Sequence, residues 1–249
     1  MKKKIFTLLA CMAVSLSVWA EDQAEHFNYI IRLGYNVGGT APMGMPASIR
    51  ALNSFKPQAT FALSFDVQRD FWGKWGALAG LHVEDKGMKI DARVKNYHMA
   101  IDQKGNKLEG MYTGCLVTEC FQSLYTLPVM VTYRPGRWLL KFGPYVSYVS
   151  SSEFSGSVYD GYLRVGDPTG EKVVMGKKGE NNPTFDFSKD MRNFQWGLTL
   201  GADCQLNKRW GVYFDLNWGL SGAFESSFKT IEQTLYPIYG TLGVSYRLK

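Results

Sequence analysis

Eight stretches of this chain alternate bulky apolar side chains with small or polar ones at a period of two, and that pattern constrains the fold more than any other feature. In the second stretch Ala59, Phe61, Leu63, Phe65 and Val67 alternate with Thr60, Ala62, Ser64, Asp66 and Gln68. In the seventh, Trp210, Val212, Phe214, Leu216 and Trp218 alternate with Gly211, Tyr213, Asp215, Asn217 and Gly219. The others lie near 27–36, 75–84, 125–133, 138–148, 194–206 and 241–248. Successive side chains of a strand point to opposite faces, so the spacing predicts antiparallel β-strands. The links between them alternate in length. Those at 69–74, 134–137 and 207–209 are tight, whereas those near 38–57, 85–123, 151–192 and 222–237 are long. In an up-and-down meander every second link falls on one side, so the turns gather at one end and the long loops at the other.

Volume decides which face is inside. An eight-stranded barrel has an interior just wide enough for side chains to fill it. The apolar face carries Trp75, Trp138, Trp196, Trp210 and Trp218, too much bulk for so narrow an axis, while the opposite face is rich in Gly, Ser, Thr and Asn. The bulky face is therefore expected to look outward, which only lipid makes acceptable. Charge agrees, because the outward set has none and the inward set holds Arg32, Lys141 and Arg247 against Asp66, Glu84, Asp203 and Asp215. A Lys or Arg at the bilayer midplane would cost about 2–4 kcal/mol. Aromatic belts are expected at headgroup depth, from Trp75, Tyr133, Trp138, Trp210 and Tyr246 at the turn end, and from Tyr35, Tyr125, Tyr148, Phe194, Trp196 and Trp218 at the loop end. The expected fold class is all-β, an antiparallel up-and-down transmembrane β-barrel of about eight strands with short periplasmic turns and long extracellular loops.

Residues 1–20 read as a secretory signal peptide, and 21–249 as the barrel domain. Lys2, Lys3 and Lys4 precede an apolar run from Ile5 to Val18, and Val18-Trp19-Ala20 offers a small-residue cleavage site. The run is shorter than the roughly 20 residues of a spanning helix. Leu8-Leu9-Ala10-Cys11 resembles a lipobox, but cutting there would leave a very short apolar core. Removing the three leader lysines lowers the formal charge from +6 to +3, too little to imply nucleic acid. Past the leader no apolar run reaches the roughly 18 residues of a helical span, which excludes a helical membrane protein. Export would put Cys115, Cys120 and Cys204 in an oxidising compartment, allowing a Cys115–Cys120 bridge, with Cys204 facing lipid.

The last strand, Thr241 to Leu248, carries a polar residue, a glycine, a spaced aromatic and a final apolar residue, in the manner of the signal read by the outer-membrane barrel assembly machinery. With Gly34-Tyr35-Asn36-Val37, Glu84-Asp85-Lys86-Gly87, Tyr125-Thr126-Leu127-Pro128-Val129, Gly143-Pro144-Tyr145-Val146, Gly197 to Ala202 and Gly243-Val244-Ser245-Tyr246, the chain resembles the PorT-like outer-membrane β-barrel family of Bacteroidota, small barrels of the OmpX/OmpA kind. The resemblance covers nearly all of 27–249 and implies the outer membrane, with both termini periplasmic. The family's named member is associated with protein secretion, a role that fold likeness alone does not transfer.

Within the long links, alternation runs on through Met88, Ile90, Ala92 and Val94 to a turn signal at Asp102–Asn106, predicting a hairpin that projects from the membrane. Asp167-Pro168-Thr169-Gly170 predicts a second turn, in 158–175. The leading expectation is a non-catalytic barrel with a plugged polar lumen, acting through its surface loops or within an envelope assembly or secretion system. Its partners would be outer-membrane lipid, the assembly machinery and envelope proteins at the loops. No catalytic, cofactor-binding or metal-ligating residue is assigned. The alternatives are a lipid A-modifying enzyme, for which His82 and Glu84 are the one pair placed near an outer end while His26 and His98 lie elsewhere, and a small porin-like diffusion pore.

Overall fold

A computed structural model describes residues 27–248 except 45, 59, 104, 229 and 232. The leader expected at 1–20, His26 and Ala59 lie outside the described residues. Eleven strands form one sheet: β1 (Phe27–Pro42), β2 (Ile49–Pro57), β3 (Thr60–Trp72), β4 (Trp75–Gln103), β5 (Asn106–Tyr133), β6 (Trp138–Val165), β7 (Lys172–Val174), β8 (Thr184–Asp186), β9 (Phe194–Gln205), β10 (Trp210–Gly219) and β11 (Leu235–Arg247). Eight of them close a ring in chain order, since β3, β4, β5, β6, β9, β10 and β11 follow β1 and β11 pairs back onto β1 with Leu33 opposite Val244. β2, β7 and β8 stand outside the ring. All the pairings are antiparallel, and up to Asn36 opposite Thr60 closure leaves β1 and β3 no free sheet edge.

The alternation places every strand as its pattern requires. Trp75, Trp138, Trp196, Trp210 and Trp218 are exposed on the outer face, and Arg32, Asp66, Lys141, Ser147, Gln195 and Thr199 are buried inside. Cys204 lies on the outer face, half-buried. The belts form as cross-strand ring pairs, Trp75 with Tyr133 and Trp210 with Tyr246 at 4.8 Å near the turns, and Tyr148 with Phe194 at 5.3 Å at the other end. One turn is tighter than expected, while 134–137 stands as predicted. Between β3 and β4 only Gly73 and Lys74 remain, with Gly73 at φ 55°, where a Cβ would be strained.

Three of the four long links contain long runs of strand. β4, β5 and β6 run 29, 28 and 28 residues, more than twice the roughly 9–11 that a tilted strand needs to cross a bilayer. The long link 85–123 is the upper half of the β4–β5 hairpin, as its continuing alternation predicts, and its turn is the expected one, with Asp102 Oδ1 accepting from the Gly105 amide at 2.7 Å. The second turn also forms, the Gly170 amide donating to the Asp167 carbonyl at 3.1 Å between β6 and β7. His98, expected in a loop, is a strand residue whose Nδ1 lies 3.1 Å from the Thr230 carbonyl.

The Cys115–Cys120 bridge does not form. Both residues lie on β5, and five steps of extended chain span about 16 Å, far beyond the reach of a disulfide. Cys120 is fully buried, and burial pushes its thiol up to about 12, so it stays protonated.

Candidate functional site

The lumen holds two layers of opposite character. The lower one is ionic. Arg32 on β1 meets Asp66 on β3 at 2.9 Å, Asp203 on β9 at 3.0 Å and Asp215 on β10 at 3.3 Å. Lys141 on β6 reaches Asp203 and Asp215 at 2.7 Å each. Two cations and three carboxylates thus bind five strands across the axis. The His82 ring adds Nε2 at 2.8 Å from Asp66 and Nδ1 at 3.7 Å from Glu84, and Lys86 Nζ holds Glu84 at 2.8 Å. Arg32 and Lys141 also lie over the Tyr213 ring, at 5.2 and 5.5 Å.

Small residues make the room. A Cβ at Gly80 would stand 1.8 Å from Asp66 Oδ1, and one at Gly201 would stand 2.0 Å from Asp215 Oδ1. The inward glycines therefore set where the carboxylates fit. Of the inward charges foreseen from sequence, Arg32, Lys141, Asp66, Glu84, Asp203 and Asp215 come together. Arg247 does not, and lies with Arg134 and Arg209 around a small recess at the turn end. Lys86 was missed, although it shares the parity of His82 and Glu84.

Above the ionic layer the interior turns apolar. Met88, Val94, Met99 and Ile101 of β4, Leu116 of β5 and Val158 and Leu163 of β6 are buried together. The chain after β7 folds in over them. Phe185 and Phe187 stack at 5.5 Å, Phe154 meets Phe224 edge-on at 4.9 Å, and Phe224 stacks on Phe228 at 4.7 Å. Between this cluster and the upper part of β1 lies a cavity of about 230 Å³. The outer face of the same strands is polar. There Lys178 Nζ lies 2.5 Å from Asp91, Tyr159 donates to Asp91 at 2.7 Å, and Asn53 Nδ2 donates to it at 3.0 Å. Burial raises the Asp91 carboxyl, but these three donors outweigh it and hold the group below its ordinary value. Burial, reinforced by Asp91, pushes the Tyr159 phenol up to about 12.

A ring-closed antiparallel sheet with an apolar outer girdle, two aromatic belts and a charge-paired axis defines an integral outer-membrane β-barrel protein. A profile of the outer membrane protein beta-barrel domain matches residues 19–225, and the chain belongs to that family. No curated protein matches it. Among solved structures it is similar to Ail, the attachment invasion locus protein of Yersinia pestis, in complex with the heparin analogue sucrose octasulfate, at 8% identity over 90% of this chain and 99% of that one, with a TM-score of 0.37. It is also similar to OprG of Pseudomonas aeruginosa, at 13% identity over 90% and 96% with a TM-score of 0.27, and to the translocator domain of the autotransporter NalP of Neisseria meningitidis, at 12% over 96% and 97% with a TM-score of 0.26. At such scores the barrel assignment rests on the strand pairing and the family match.

Proposed function

We propose that this protein is a closed, non-conducting and non-catalytic outer-membrane barrel that acts from the extension of β4, β5 and β6, displayed outside the cell. The observation that carries this reading is the ionic layer. Arg32 and Lys141 join Asp66, Asp203 and Asp215 across the lumen, so an ion passing through would have to break pairs that are expensive to separate in a desolvated site. Export by the N-terminal leader, a PorT-like place in the envelope and periplasmic termini complete the reading. The leader is supported by Lys2 to Lys4 and the apolar run after them, the place in the envelope by the residues of the first and last strands, and the termini by the gathering of the short turns at the end where β1 begins and β11 finishes.

Catalysis has little to work with. Both nitrogens of His82 face carboxylates, which leaves neither to activate a nucleophile at the outer rim. Two measurements test the reading. Pure protein in a planar bilayer should give no single-channel conductance, and lipid A mass spectra should be unchanged by deletion or overexpression. Steady conductance would overturn the plug, and a new lipid A species would overturn the absence of catalysis. Crosslinking in intact cells from Glu119 and Lys178, and from the turn-end Lys208, should capture any envelope partner on the extension side and leave the turn side unlabelled.

A further inference from the structure

The cavity above the plug has an entrance in the side of the barrel. Up to Asn36 opposite Thr60, β1 is paired with β3, but above that point no described strand pairs with this edge of β1. Among the described residues β2 pairs only with β4, and Phe55 on it reaches across to Gly39 of the free edge. The seam runs between residues 37–42 of β1 and 52–57 of β2. Its base is fixed by the Asn36 side chain, which donates to the Asp85 carbonyl at 2.8 Å and accepts from Thr241 at 2.6 Å.

What fills the seam is movable. The Thr40 amide, which would bond to a strand carbonyl in a continuous sheet, donates instead to Met88 Sδ at 3.2 Å. Sulfur is a weak acceptor, and Met is unbranched and flexible. The Phe55 ring lies over Gly39, where an added Cβ would stand 3.3 Å from its Cε2 and 3.0 Å from Met88 Sδ. Val37, Leu52 and Phe55 are exposed at the mouth, an apolar path rising from Tyr35 of the upper belt.

We infer that the cavity binds one linear hydrocarbon chain of an amphiphile, which enters through the β1–β2 seam past Phe55 and Met88 and leaves its polar end outside. Three observations choose this occupant. The lining is aliphatic, thioether and aromatic, with Thr40, Thr118 and Tyr97 carrying its side-chain hydroxyls and no charged group, so it can hold hydrocarbon but not a charged headgroup. The volume of about 230 Å³ exceeds the ~150 Å³ of an apolar cavity that stays dry and takes up benzene. A slit between two strands admits a chain end-on and excludes a wide fused ring. The ionic layer closes the floor, so the site stores or senses its ligand and does not pass it to the periplasm. The inference rests on the reading of a sealed barrel acting from its extension, and bilayer conductance tests that reading separately.

The test uses the full chain folded in nanodiscs and photolabelling by two probes. One is decanoic acid with a terminal diazirine, added from solution. The other is a phospholipid with a diazirine at the end of one acyl chain, built into the disc. Adducts on Met99, Leu116 or Phe185 are expected, and they should fall at least tenfold in Ala92→Phe and in Leu116→Phe, which fill the cavity from facing positions on β4 and β5. Labelling of lipid-facing Leu200 should persist in both variants and serves as the folding control. Cavity adducts from the added acid support the inference with a free amphiphile as the source, and those from the phospholipid alone support it with a membrane lipid. Adducts confined to lipid-facing positions, or cavity adducts unchanged in both variants, would overturn it whether or not the barrel conducts.

Discussion

The lower and upper halves of β4, β5 and β6 both alternate, but with reversed polarity. In the lower half of β4 the outward residues are Trp75, Leu81 and Val83, and the inward ones include His82, Glu84 and Lys86. In the upper half Lys89 and Arg93 look outward, while Met88, Ala92 and Val94 look inward. Up to Val94 the parity of β4 does not change; the surroundings do. Hydrocarbon outside the lower half makes apolar residues cheap there and leaves the axis to paired charges. Water outside the upper half makes a hydrophobic core worth building inside. One strand serves both because β-structure fixes only which residues share a face, and the solvent decides which face is greasy.

Breaking the ionic layer should have the largest effect. Arg32→Met leaves Asp66 without its guanidinium and removes one of the two cations from Asp203 and Asp215, at an expected cost of about 3–5 kcal/mol. It is measured as a fall in the urea midpoint for unfolding from bilayers. Lys178→Met, which removes an exposed ammonium from Asp91 on the outside of the extension, should leave that midpoint unchanged.

The next test uses two valines of similar exposure. Val129 is 60% and Val174 69% exposed, yet the first faces hydrocarbon and the second water. Val129→Arg is expected to cost about 2–4 kcal/mol, and Val174→Arg no more than about 0.5 kcal/mol. Equal effects in bilayers would erase the distinction between the halves.

Packing gives a smaller contrast. Ile101 is buried in the upper core and Ile31 faces lipid. Ile101→Val should cost about 0.5–1.5 kcal/mol, read as faster proteolysis of the extension, because the lost methylene leaves a gap. Ile31→Val should cost less than about 0.5 kcal/mol, since lipid fills the space it vacates.

The smallest effect is a pH step confined to the extension. The folded Asp91 carboxyl sits below its ordinary value, so its contribution is complete above about 3.9 and is lost as pH falls through the lower folded value. Hydrogen exchange of amides 177–182, corrected for the intrinsic rate, should be flat from pH 8 to 5 and rise below about 4. Asp91→Asn should remove the step.

Most of the lower half was legible in the sequence. Period-two alternation, turn chemistry and the exclusion of tryptophan from a narrow axis fixed strands, faces and charge pairing, because each is set by local spacing and volume. The upper half was legible only in part. Met88, Ile90, Ala92 and Val94 announced that β4 continues, but the face assignment beyond them passes through register shifts, between Val94 and Tyr97 against β5 and between Ser123 and Leu124 against β6. One residue of slip exchanges the two faces, and the marks it leaves are backbone ones, Asn96 at φ 49° at the first shift and Asp160 at φ 46° opposite a further β5–β6 shift between Thr113 and Cys115. β2 was hidden for a similar reason, being short and twice shifted in its pairing with β4. The seam and the cavity depend on which strand β2 chooses, a tertiary choice that local pattern does not encode.

The change of surroundings along one strand can be read directly by spin labels on β5, with Cys115, Cys120 and Cys204 replaced and a single nitroxide placed at Val129 or at Glu119 in bilayers. The nitroxide at Val129 should collide more often with oxygen than with a water-soluble nickel chelate, and the one at Glu119 should show the reverse. A label at Val129 that meets the chelate as freely as the one at Glu119 would mean that water surrounds the tryptophan girdle, and the membrane barrel described here would be wrong.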